Sequence, residues 1–177
     1  MELQKELKDC YDNYSKEVRK LQKKAGPADG LLGFPSSVSA HPCHNEFYKK
    51  VEDIVSEAVI SVSAPILADA YTAPRGRAAS AAPAPDTAGH GIAGPAAHTS
   101  AWAQAAHFIL SAQTAYPDKE VHWMCVAAEK HALLLIPLLS KEEASDLLSL
   151  YNKICPPITR FPVQKEVGKA LKKASRQ

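Results

Sequence analysis

The chain has 177 residues, a mass of 19.1 kDa, 46% hydrophobic and 23% charged residues, and a formal net charge of +2. That length predicts one domain with a substantial core, the apolar content excludes wholesale disorder, and 21 basic against 19 acidic residues exclude a globally basic nucleic-acid-binding domain. Cysteines at 10, 43, 125 and 155, with no CxxC, exclude a dense disulfide scaffold and predict reduced thiols. The charged start MELQKELKDC has no signal-peptide core, and the apolar run 132–139 is interrupted by Pro137. A cytoplasmic protein without a transmembrane segment is expected.

Residues 2–25 read as a first helix. Leu3, Leu7, Cys10, Tyr14, Val18 and Leu21 recur at steps of three and four and form one apolar stripe. The opposite face is charged, with Lys5/Asp9, Lys8/Asp12 and Asp12/Lys16 as i,i+4 pairs. Gly26-Pro27 ends the helix. The connection 26–44 places Leu31, Leu32 and Phe34 in a Gly/Pro-rich loop, where they either cap the core or anchor a partner.

A second helix is predicted over 45–71, with Phe47, Val51, Ile54, Val55, Ala58 and Val62 on one face and an interruption or kink at Pro65. Residues 73–100 then change character: 18 of these 28 are Ala, Pro or Gly. Such a stretch buries too little apolar surface to offset its ordering entropy, so it reads as a long flexible loop within the domain. Thr99 or Ser100 caps a third helix ending at Tyr116. Asp118 caps a fourth, which carries Val121, Trp123, Met124, Cys125 and Val126 and then the run 133–136. Because its second half is apolar nearly all round, it belongs at the bundle centre. Ser140-Lys141-Glu142-Glu143 is a capping-box pattern opening a fifth helix, and Cys155-Pro156-Pro157 closes it. A last helix, 162–175, has only Val163, Val167 and Leu171 as an apolar strip, which predicts marginal docking.

Several groups invite a chemical reading. His41-Pro42-Cys43-His44 offers at most three zinc ligands, and adjacent Cys43 and His44 rarely reach one tetrahedral centre. His107, His122 and His131 lack the rhythm of a metal-binding bundle, since Glu129 and His131 are two apart and point to different faces. No phosphate loop or nucleophile elbow is present, and Gly89-His90-Gly91 fits no such template. Arg75 and Arg77 precede Ser80 by five and three residues, the arrangement read by basic-directed kinases, so Ser80 is a candidate phosphosite. From 160 to 177 there are six cations and one acid, a net of +5, which leaves −3 for residues 1–159. Lys165, Lys169, Lys172 and Lys173 therefore form a basic helical face suited to an acidic protein, nucleic acid or membrane surface.

Three stretches carry a family resemblance: Asn45-Glu46-Phe47-Tyr48, the segment 98–108 (HTSAWAQAAHF), and Asp118-Lys119-Glu120-Val121-His122-Trp123. In order and spacing, over about residues 45–125, they resemble the N-terminal helical domain of cyclase-associated proteins. The family's tryptophan in the helix before its Gly/Pro loop has no counterpart between 45 and 72, and 140–177 lies outside the match. The resemblance implies a helical bundle that binds cofilin-decorated actin and speeds filament turnover without covalent catalysis. It implies no individual binding residue, because the matching positions are core positions.

The expected fold is thus an all-α bundle of five or six helices with a long Ala/Pro/Gly-rich loop. The expected function is a non-enzymatic protein-interaction module without cofactor or metal, binding actin or cofilin-actin. Leu31, Leu32, Phe34, Lys165, Lys169, Lys172 and Lys173 are its candidate partner contacts. The alternative is an adaptor that binds nucleic acid or an acidic surface through the C-terminal helix.

Overall fold

The computed structural model describes residues 2–24, 41–72 and 99–177, with side chains described outside 62–72. The described residues form an all-α bundle without strands. Its elements are α1 (Glu2–Lys24), α2 (Cys43–Thr72), α3 (Ala101–Ala115), α4 (Lys119–Ala128), the single turn α5 (Ala132–Leu135), α6 (Lys141–Ile154) and α7 (Pro162–Ala174). Leu31, Leu32, Phe34, Ser80 and most of the expected loop lie outside the described residues.

Local signals set the helix starts. Ser100 accepts from Ala103 N at the head of α3, and Asp118 accepts from Glu120 N at the head of α4. Ser140 and Glu143 form the expected reciprocal capping box. Glu143 also reaches across to α3: Oε1 accepts from Ser100 N at 2.7 Å while Oε2 accepts from Ser140 N at 2.9 Å. One carboxylate thereby serves two helix N-termini. The second helix starts at Cys43 rather than Asn45, because His41 Nδ1 accepts from Cys43 N and so caps it. It also runs through Pro65 without the expected interruption.

The core is built around Tyr11, which is fully buried. Its ring meets Phe47 of α2 and Phe108 of α3 edge-on, at centroid distances of 4.8 and 5.1 Å, and lies 5.7 Å from Tyr116. Tyr14 stacks on Phe47 at 4.2 Å and bonds His44 Nδ1 through its hydroxyl at 2.6 Å. Polar links tie α1 to the middle of the chain: Tyr116 donates to Asp12, and Gln22 donates to Asp118 and Glu120.

The fourth helix departs from the single rod expected from the sequence. After Ala128 it tightens into a 3₁₀ turn, Glu129–His131, passes through α5, and ends in a second 3₁₀ turn, Ile136–Leu138, containing Pro137. Residues two apart sit about 160° apart around an α-helix but about 120° apart around a 3₁₀ turn. This turn allows Glu129 and His131 both to be buried, against different neighbours. Nor is the span buried all round. Trp123 and Leu134 stand exposed on its outer side. By length and composition Lys119–Leu138 could cross a membrane, but half of that stretch is buried inside the bundle.

Candidate functional site

The C-terminal third of the chain brings together groups that are far apart in sequence. Glu129 is completely buried. Tyr151 of α6 donates to its Oε2 at 2.5 Å, and Gln164 of α7 donates to its Oε1 at 3.1 Å. The side-chain oxygen of Gln164 accepts from the Cys155 thiol and from Phe161 N, each at 3.2 Å. Burial pushes the Glu129 carboxyl up to about 7, against the downward pull of those two hydrogen bonds and of Arg160.

Arg160 covers this cluster. Its guanidinium carbon lies 4.6 Å above the Tyr151 ring, its Nε donates to Cys155 O, and its Nη2 donates to Asn152. The guanidinium rests against Gly168, where an added Cβ would lie 2.2 Å from Nη1. Gly168 therefore supplies the notch that admits Arg160. The open groove described below does not reach Glu129. The arrangement acts as a clasp that seats α7 on α6 and on the 3₁₀ turn.

The clasp adds contacts for the C-terminal helix that its apolar strip alone does not supply. Besides Val167 and Leu171, α7 buries Gln164 and Gly168, so its anchoring is polar as well as apolar. A count of apolar residues misses both. Lys165, Lys169, Lys172 and Lys173 all point outward. Lys8 and Asp12 form an ion pair at 2.6 Å, in which none of the four lysines takes part.

Sequence reasoning also missed exposed apolar side chains that lie just before these lysines in the chain or touch one that does. Phe161, which precedes α7, is 45% exposed, and its ring meets that of Trp123, 46% exposed, at a centroid distance of 5.3 Å. Ile158, in the 3₁₀ turn Pro157–Thr159, is 94% exposed. The Pro-rich stop after α6 was the available signal, but it marks a turn without showing what the turn displays.

A groove of about 840 Å³ opens elsewhere, between α3 and α6. Ala103, Leu147 and Leu150 contribute apolar lining, and Gln104, His107 and Asp146 contribute polar lining. Thr99, Ala103, Gln104 and His107 belong to the stretch that carries the family resemblance.

The groups considered for chemistry are spread out. His44 pairs with Tyr14, while His41 caps α2. His131 packs against Tyr48 at 4.4 Å, His122 lies against Gln113 O, and His107 is exposed. No group of three or more His, Cys, Asp or Glu residues that could hold a metal ion occurs among the described residues. All four cysteines are free and buried. Burial raises each thiol, Cys43 to about 11 and Cys125 to about 12, the reverse of an activated nucleophile.

The chain matches no known family model, no curated protein and no solved structure.

Proposed function

We propose that this protein is a non-enzymatic helical module that binds another protein through the groove between α3 and α6, with actin or cofilin-decorated actin as the partner. The observation that carries the binding reading is the open groove itself, lined by the apolar Ala103, Leu147 and Leu150 with Gln104, His107 and Asp146 beside them; the choice of actin comes from the family resemblance alone. Inert, buried thiols accord with a role in binding rather than catalysis. Co-sedimentation with bare and cofilin-decorated actin filaments tests it. The expected result is pelleting with filaments that falls at least about tenfold in Gln104→Arg and Asp146→Lys, since each places a long cation in the groove. Absence of pelleting with either filament overturns the actin assignment.

A second reading is favoured by the α7 lysines, which are exposed. On this reading the module engages an acidic surface through Lys165, Lys169, Lys172 and Lys173. Binding of that kind weakens steeply with added salt, whereas an apolar interface does not.

A further inference from the structure

We propose that the tip formed by Ile158, Phe161 and Trp123, together with the lysine face of α7, binds the surface of an anionic bilayer. The inference rests on the second reading above and adds which acidic surface the lysines engage.

The tip is built to protrude. Ile158 lies in a turn that opens with Pro157 and is preceded by Pro156, and both rings fix φ. Thr159 N and Thr159 Oγ1 both donate to Pro156 O, at 3.0 Å each. Arg160, next along the chain, is fastened to Cys155 O and Asn152. A braced turn therefore holds out an aliphatic side chain that is 94% exposed. A single exposed apolar residue is ordinary, but this one is three residues from Phe161, which is in ring contact with Trp123. Tryptophan suits the headgroup zone, where apolar and polar surroundings meet, and phenylalanine suits the acyl boundary beneath it.

The cationic strip starts where the apolar tip ends. Steps of three and four residues lead from Phe161 to Lys165, Lys169, Lys172 and Arg176, along one face of α7. The acid in this stretch, Glu166, lies off that line. An apolar end to insert and a row of lysines for anionic headgroups are the two requirements for peripheral membrane binding. The shape of the tip favours a bilayer over a macromolecular partner. A folded protein would need a matching cleft to receive a prong that is 94% exposed, whereas a bilayer accepts an apolar side chain without one. A nucleic acid could use the lysines and the aromatic faces but has no use for the aliphatic prong.

The test is sedimentation of the full chain with phosphatidylcholine vesicles, with and without phosphatidylserine, at low salt. The expected result is binding that requires phosphatidylserine, with a blue shift of tryptophan emission. Ile158→Ser should weaken it about fivefold, and K165E/K169E/K172E should abolish it, both with unchanged circular dichroism. Because all four positions are exposed, neither variant disturbs the core. No binding to phosphatidylserine vesicles, or full binding by Ile158→Ser, overturns the proposal. Parallel arms use immobilised poly-glutamate and a single-stranded RNA oligonucleotide. Retention on poly-glutamate without vesicle binding keeps the acidic-surface reading and removes the bilayer. RNA binding tighter than vesicle binding and indifferent to Ile158→Ser assigns the lysines to nucleic acid. Failure of every acidic probe removes both readings.

Discussion

Tyr151 donates its hydroxyl to Glu129 across 2.5 Å in a part of the core closed to solvent. The two residues lie on different elements, α6 and the 3₁₀ turn after α4, and Gln164 of α7 completes the junction. The carboxylate is thus the point where three elements meet, and its protonation state bears on all of them.

Burial raises the Glu129 carboxyl from 4.5 to about 7. In the unfolded chain it ionises at its ordinary value, so between those two pH values the folded state holds a proton that the unfolded state has released. Stability contributed by this group is then full below pH 4.5, falls as pH rises from 4.5 to about 7, and is lost above that. A shift of this size corresponds to about 3 kcal/mol. Glu129→Gln retains the shape and cannot ionise. Urea unfolding across this range should show a falling stability in the native protein and a flatter profile in Glu129→Gln. Parallel profiles for the two proteins would show that Glu129 does not control the slope.

The Arg160–Gly168 notch predicts a sign reversal. Gly168→Ala should gain about 1 kcal/mol of helix propensity but force the guanidinium off Tyr151, because the new Cβ meets Nη1. In the native background the net effect should be a loss of about 1 kcal/mol. In an Arg160→Ala background the same change should stabilise. A double-mutant cycle by denaturant titration measures the coupling, expected at about 1–2 kcal/mol. A coupling near zero would mean that Arg160 is not seated against Gly168 in solution.

Glu143 caps two helices at once, so its loss should cost more than one cap. Although burial opposes it, hydrogen bonds from the backbone of Ser100 and Ser140 hold this carboxyl below its usual value. A lowered acid contributes stability that is present above its unfolded pKa and lost as pH falls through the folded one. Glu143→Ala is expected to cost about 1–2 kcal/mol, and Ser140→Ala about 1 kcal/mol. Hydrogen exchange should then quicken at the N-termini of both α3 and α6 in Glu143→Ala. Ser140→Ala should affect α6 alone.

Tyr11 predicts a gain. Its ring is the hub of the aromatic cluster, yet its hydroxyl is buried with no hydrogen-bond partner. Removing an unsatisfied buried hydroxyl while keeping the ring should stabilise the protein by about 1 kcal/mol. A higher melting temperature for Tyr11→Phe is expected. A lower one would mean that the hydroxyl is satisfied in solution.

Local order was legible because its causes are local. Backbone hydrogen bonds, caps and apolar periodicity act within about four residues. Thus the starts of α4 and α6 at Asp118 and Ser140, that of α3 at Thr99 or Ser100, and the outward row of lysines on α7 follow from the sequence by itself. The all-α class follows for the same reason. What the tertiary structure alone decided depends on residues remote in the chain. Glu129 is a polar residue by type, and its burial follows from the meeting with Tyr151 and Gln164. The Trp123–Phe161 pair and the seat of Arg160 on Gly168 likewise join segments that share no local pattern. Desolvation and side-chain pairing are set by spatial neighbours, so the clasp and the exposed tip emerge only once the helices are packed.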